Sequence, residues 1–138
     1  MKQLGAYLRF DGNCREAMTF YKDCLGGELS MQTVGESPMA KQLPPQAQKN
    51  IMHSSLVKGK VVLLGSDMVD PGKRTNGNSI SLFIECDSEE EIKTCFAKLA
   101  AGGKVDMPLK TEFWGATFGM LTDKYGNEWM LNYEKPKA

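Results

Sequence analysis

The feature that most constrains this chain is an internal repeat. A helix-period pattern over about Cys14 to Leu25 places Ala17, Phe20, Tyr21, Cys24 and Leu25 on one face. The same offsets recur over about Glu89 to Ala101 with Ile92, Cys95, Phe96, Leu99 and Ala100. Each pattern is followed by a glycine pair, Gly26-Gly27 and Gly102-Gly103, 76 residues apart. Glycine takes the left-handed backbone that closes a helix. Asn13 with Glu16, and Ser88 with Glu91, stand in capping-box spacing at the two starts.

Strand-like runs flank both helices in the same order. Leu4 to Phe10 precedes the first helix and Glu28 to Val34 follows it. Ser79 to Cys86 and Lys104 to Lys110 do the same for the second. Each half then closes with a hairpin: Ile51 to Ser66, turning at Lys58-Gly59, and Phe118 to Tyr133, turning at Asp123 to Gly126. The halves are therefore β-α-β-β-β modules, about 1–67 and 78–138, joined by a turn-rich linker 68–77. One helix per four strands excludes a doubly wound parallel sheet. The expected class is α+β: two tandem modules in a curved mixed sheet, helices on the outer face and a concavity on the other. Between Gly35 and Asn50 the first half carries an insertion holding Pro38, Pro44 and Pro45. A connection of this length is a functional lid, a mobile segment or a tolerated surface insertion.

Composition narrows function. Of 138 residues, 17 are Lys or Arg and 17 Asp or Glu, so the formal charge is zero. A nucleic-acid binder or a polybasic membrane anchor needs a basic excess. The longest purely aliphatic run, Val61 to Leu64, is far too short to span a bilayer. We expect a cytoplasmic protein without nucleic-acid or membrane partners. Cys14, Cys24, Cys86 and Cys95 have no zinc spacing and read as free thiols packed as small hydrophobes. His53 is the single histidine, so one chain cannot hold a multi-histidine metal site.

Several stretches carry a resemblance that covers nearly the whole chain. They are Tyr7 to Ala17, Phe20-Tyr21, Leu25 to Gly27, Ile51 to Ser54, Leu64 to Asp67, and Thr111 to Met120, continuing through Thr122 to Gly126 to Trp129-Met130. With the paired modules, they resemble the vicinal oxygen chelate fold of glyoxalase I, extradiol dioxygenases and bleomycin-resistance proteins, and within it the PhnB-like group. Some members of that group are labelled as methyltransferases. No strand here is followed by a glycine-rich turn that opens a helix, so methyl transfer is not expected.

The resemblance implies four inward metal positions, which fall on Gly5, Leu63, Ser79 and Met130. Glycine and leucine offer no donor, serine is a poor one and a thioether prefers soft ions. A shift of one residue does not restore a donor set. We therefore expect no metal and no cofactor. The resemblance also implies a homodimer.

What remains is a lined concavity. Phe113, Trp114, Met120 and Met130 suit an apolar small-molecule pocket. Asn132 shares a face with Met130 by strand alternation and offers an amide. Trp129 is expected in the core, and Asp123 is expected to close its hairpin turn. Asp67, with Ser66, either caps a turn or rims the pocket. His53 is the candidate base or ligand donor, or else a hydrogen-bonded structural histidine. Two functions follow: a metal-independent binder of a small apolar or aromatic molecule, or a small-molecule enzyme, lyase-, isomerase- or dioxygenase-like, using His53.

Overall fold

The computed structural model describes residues 1–68 and 72–136. Residues 69–71 of the expected linker and the last two residues of the chain lie outside that description. The described chain forms two compact units, Met1–Thr75 and Asn76–Ala138.

In the first unit, β1 (Ala6–Phe10) leads to α1 (Cys14–Leu25), then β2 (Glu28–Thr33), β3 (Ile51–Lys58) and β4 (Val61–Asp67). The sheet order is β1-β4-β3-β2, with β1 parallel to β4 and the other pairs antiparallel. The second unit repeats the plan with β5 (Leu82–Glu85), α2 (Glu89–Ala100), β6 (Lys104–Thr111), β7 (Ala116–Thr122) and β8 (Glu128–Glu134). Its order is β5-β8-β7-β6, again with one parallel pair, β5 on β8. Two four-stranded mixed sheets, each with one helix, give the expected α+β class.

Local chemistry explains most boundaries and corrects several. α1 buries Cys14, Ala17, Met18, Tyr21, Cys24 and Leu25, so its stripe includes Cys14 and Met18 while Phe20 is only half-buried. Asn13 makes no side-chain cap. The first-turn amide of Cys14 instead donates to Asp67 Oδ1 at 2.9 Å. A carboxylate from β4 thus replaces the local cap, a substitution that spacing along the chain does not reveal.

At α2, Ser88 Oγ accepts from Glu91 N at 3.0 Å as expected. Glu91 reaches back one residue further than a capping box requires, to the Asp87 amide at 2.9 Å. Ile92, Phe96 and Leu99 are the buried residues of this helix.

The first hairpin turns on Gly59-Lys60, one residue later than expected, since Lys58 pairs with Val61. Gly59 supplies the positive φ of 55° that a two-residue turn uses. β5 starts only at Leu82, so Ser79 to Ser81 are not strand. The insertion after β2 is neither bare loop nor regular strand. It folds into three short 3-10 helices, Val34–Glu36, Pro38–Gln42 and Pro45–Ala47. Gln48 braces the second and third of these: its Nε2 lies within hydrogen-bond distance of the carbonyls of Ala40 (2.9 Å), Leu43 (3.1 Å) and Pro44 (3.4 Å).

Among the described residues, no helix is long and apolar enough to cross a membrane. Cys14, Cys24 and Cys86 are buried free thiols and Cys95 is half-buried.

Candidate functional site

Two glycines fix which face of each sheet carries the helix. A Cβ on Gly65 of β4 would lie 3.2 Å from Met18 Sδ on α1. A Cβ on Gly119 of β7 would lie 2.8 Å from Phe96 Cε2 on α2. Strand alternation then assigns every other side chain to the helix face or the open face.

In the first unit, Leu8, Phe10, Ser54, Leu56, Leu63 and Asp67 lie on the helix side. Leu63 is 5% exposed, so this supposed inward metal position faces the helix, and Leu64 takes the open face of β4. The other open-face positions combine into rows across the strands. Arg9 pairs with Ser66, and Gln32 with His53. Ser54 pairs with Gly65, which places His53 abreast of Ser66. One row therefore reads Arg9, Ser66, His53, Gln32. The neighbouring row reads Tyr7, Leu64, Ser55, Ser30. Tyr7 and His53 are adjacent, their ring centroids 6.2 Å apart and tilted by 34°. His53 is solvent-exposed on this open face.

Asp67 has a different place. Its Oδ1 accepts from Cys14 N and its Oδ2 from Ile51 N at 2.8 Å. Both carboxylate oxygens are engaged by backbone amides, on the side away from His53.

The second unit uses the same positions with different chemistry. Its first row reads Met120, Met130, Phe83, crossing β7, β8 and β5. The next reads Lys110, Phe118, Asn132, Glu85. Met120 and Met130 are half-buried, while Phe83 is 58% exposed. Three expected residues, Met120, Met130 and Asn132, thus share one open face. The Asn132 amide is occupied by Glu85, with Nδ2 at 3.1 Å from Oε2 and 3.3 Å from Oε1.

Phe113 and Trp114 are not on this face. They form the tip of the β6–β7 hairpin, 96% and 63% exposed, and pack edge-to-face on each other at 5.0 Å. The tip is held by Gly115 N donating to Glu112 O at 3.0 Å. Two aromatic residues beside a glycine read as pocket wall because sequence does not say where a strand ends. Here the strands end just before and just after them.

Trp129 is 2% exposed and its Nε1 donates to Asp123 Oδ2 at 2.7 Å. Asp123 Oδ1 accepts from Tyr125 N (2.8 Å) and Asn127 N (3.1 Å), closing the turn as its residue type suggests.

Tyr7, Arg9, Gln32 and Phe83 are open-face residues outside the expected site set. Their signal was the two-residue alternation combined with the repeat, which puts Tyr7 and Phe83 at equivalent places.

The four positions implied for a metal do not fit a divalent ion. Gly5 precedes β1, Leu63 faces α1, Ser79 precedes β5, and Met130 offers only a thioether. The residue beside Leu63 on the open face, Leu64, is no better a donor. Among the described residues, no three His, Cys, Asp or Glu side chains gather to hold a metal.

The sequence profile of the Glyoxalase/Bleomycin resistance protein/Dioxygenase superfamily matches residues 3–131. The chain belongs to that superfamily, as its paired modules require. Within it, protein YjdN of Escherichia coli K12 is 33% identical over 96% of this chain and 95% of its own length. The crystal structure of protein PA1353 from Pseudomonas aeruginosa shares 40% identity, covers 99% of this chain and 100% of that one, and has a TM-score of 0.83. A PhnB protein from Bacillus cereus, which carries the name of a 3-demethylubiquinone-9 3-methyltransferase, is 27% identical over 96% and 99% of the two chains, with a TM-score of 0.76.

Proposed function

We propose that this chain is a PhnB-like binding protein of the superfamily, taking a small apolar or aromatic molecule on its open sheet face without the usual divalent metal. The observation that carries the reading is the row Met120, Met130, Phe83. Soluble domains cover apolar sheet faces or use them. Methionine is unbranched and polarizable, so a face rich in it adapts to ligands of different shape. The donor-poor metal positions support the metal-free half of the proposal.

The test is a fluorescence titration with N-phenyl-1-naphthylamine, an uncharged aromatic probe, beside elemental analysis of protein purified without an affinity metal. Saturable binding is expected, weakened about tenfold or more in Met130→Glu, because a charge replaces a thioether whose burial contributes about 1.5–3 kcal/mol. Absence of binding, or an unaffected variant, overturns the reading. A stoichiometric divalent ion overturns the metal-free half.

A second reading is a small-molecule enzyme with His53 as base. The exposed imidazole beside Tyr7 on the open face favours it. Turnover lost in His53→Ala but kept in Met130→Glu would establish it over binding alone.

A further inference from the structure

The open face of the first unit carries a chemistry that the apolar reading does not use. Arg9, Ser66 and His53 stand side by side on β1, β4 and β3, on strands spaced about 4.8 Å apart. Tyr7 flanks them. All four side chains can donate hydrogen bonds. Arg9 has no ion-pair or hydrogen-bond partner among the described residues, and neither does the His53 ring. Among the described residues, no carboxylate forms an ion pair with Arg9. Asp11, two residues further along the chain, accepts from the Gly72 amide through its Oδ2 at 2.8 Å. Asp67 points to the helix side and is occupied by two amides. Glu28, on the open side of β2, is four residues from Gln32, about 13 Å along the strand. A guanidinium without an ion-pair partner among the described residues, a hydroxyl and an imidazole in line complement a negatively charged group of planar or tetrahedral oxygens.

We propose that Arg9, Ser66 and His53, flanked by Tyr7, form an oxyanion subsite that takes the carboxylate or phosphoryl end of a small ligand. The proposal rests on the small-molecule reading above and names the head group. The equivalent row of the second unit shows that the repeat does not impose this chemistry. There the same places hold Glu85, Asn132 and Phe118, and the acid and amide are paired with each other.

His53 is the only histidine of the chain, so its ring proton signals in an NMR spectrum need no assignment. The experiment titrates phenylphosphonate, benzoate and uncharged benzamide at constant pH and ionic strength while following those signals. Saturable shifts are expected with at least one anion and not with benzamide, and the tighter anion names the head group. Arg9→Gln should weaken the anion about tenfold, the effect of one lost hydrogen bond to a charged group. Lys60→Gln, on the hairpin turn away from the face, should not. No saturable shift, an equal response to benzamide, or equal weakening in the Arg9 and Lys60 variants overturns the proposal. If that happens while N-phenyl-1-naphthylamine still binds and Met130→Glu still weakens it, the oxyanion subsite fails and the apolar reading stands. If the anions bind and the dye does not, the subsite stands and the apolar reading fails.

Discussion

Asp67 caps α1 from across the sheet: its Oδ1 accepts the Cys14 amide at 2.9 Å, although the two residues are 53 apart in the chain. Its other oxygen takes the Ile51 amide, so one side chain ties the start of the helix to the start of β3. Asp67→Ala leaves two backbone donors without a partner and is expected to cost about 3 kcal/mol, from two hydrogen bonds to a charged acceptor. Asn13→Ala, at a cap position that makes no cap, should cost under about 0.5 kcal/mol. Urea denaturation of the two variants checks the contrast, and equal losses would contradict it.

In the second unit, Asp123 at the β7–β8 turn holds Trp129. The carboxylate accepts from the indole and from two turn amides. Asp123→Ala should destabilise by about 3–5 kcal/mol, the range for breaking a buried polar network. Trp129 fluorescence should move to the red well before global unfolding in denaturant. An unchanged emission profile would remove the role assigned to the hydrogen bond.

The thiols should differ in reactivity. Burial pushes Cys14 up from 9.0 to about 11 and Cys86 up to about 12. Cys14 sits against Ser54 Oγ at 3.6 Å, and that hydroxyl lies 2.8 Å from Gly65 O, to which it donates. The thiolate is the nucleophile, so a disulfide reagent at pH 8 should modify half-buried Cys95 first and leave Cys14 and Cys86 unmodified in the folded protein. The linkage has a definite sign. A folded thiol held neutral above its unfolded value contributes stability that is complete below pH 9. That contribution falls as pH rises from about 9 toward 11, because the unfolded state loses the proton first. Rapid labelling of Cys14 in native protein, or stability flat across that interval, would contradict the assignment.

Gln48 should control the insertion between β2 and β3. One side-chain amide reaches three loop carbonyls, so Gln48→Ala frees the two 3-10 helices it braces. Limited proteolysis should cut within residues 38–47 several-fold faster in the variant, because local opening governs cleavage there. The global denaturation midpoint should change little. A cleavage rate equal to wild type would show that backbone contacts alone hold the segment.

We also propose a homodimer, as the family resemblance implies. Sedimentation equilibrium at micromolar concentration should give twice the 15.3 kDa chain mass. A single-chain mass would refute it. The exposed Phe113 and Trp114 make a useful second variant: their replacement by alanine should leave the fold intact, since neither is buried.

The repeat, both helices and the order of the eight strands were legible because each rests on local periodicity and on glycines at the ends. Asn132 could be placed beside Met130 for the same reason. Phe113 and Trp114 could not be separated from the pocket candidates, since residue type says nothing about where a hairpin tip lies. Leu63 was placed inward by alignment, and the structure turns it to the helix. A shift of one residue moves a strand side chain to the opposite face.

By itself, the sequence determined the number of modules, the element order and the turn at Asp123, all of which depend on residue type and short-range spacing. Only the tertiary structure decided that His53 stands open beside Tyr7, that Asp67 serves backbone amides, and that Arg9 and Met130 belong to rows of opposite character. Those facts depend on register between strands far apart in the chain, and register is set by packing against the helix. At Gly65 and Gly119, a side chain as small as a methyl group would crowd that packing.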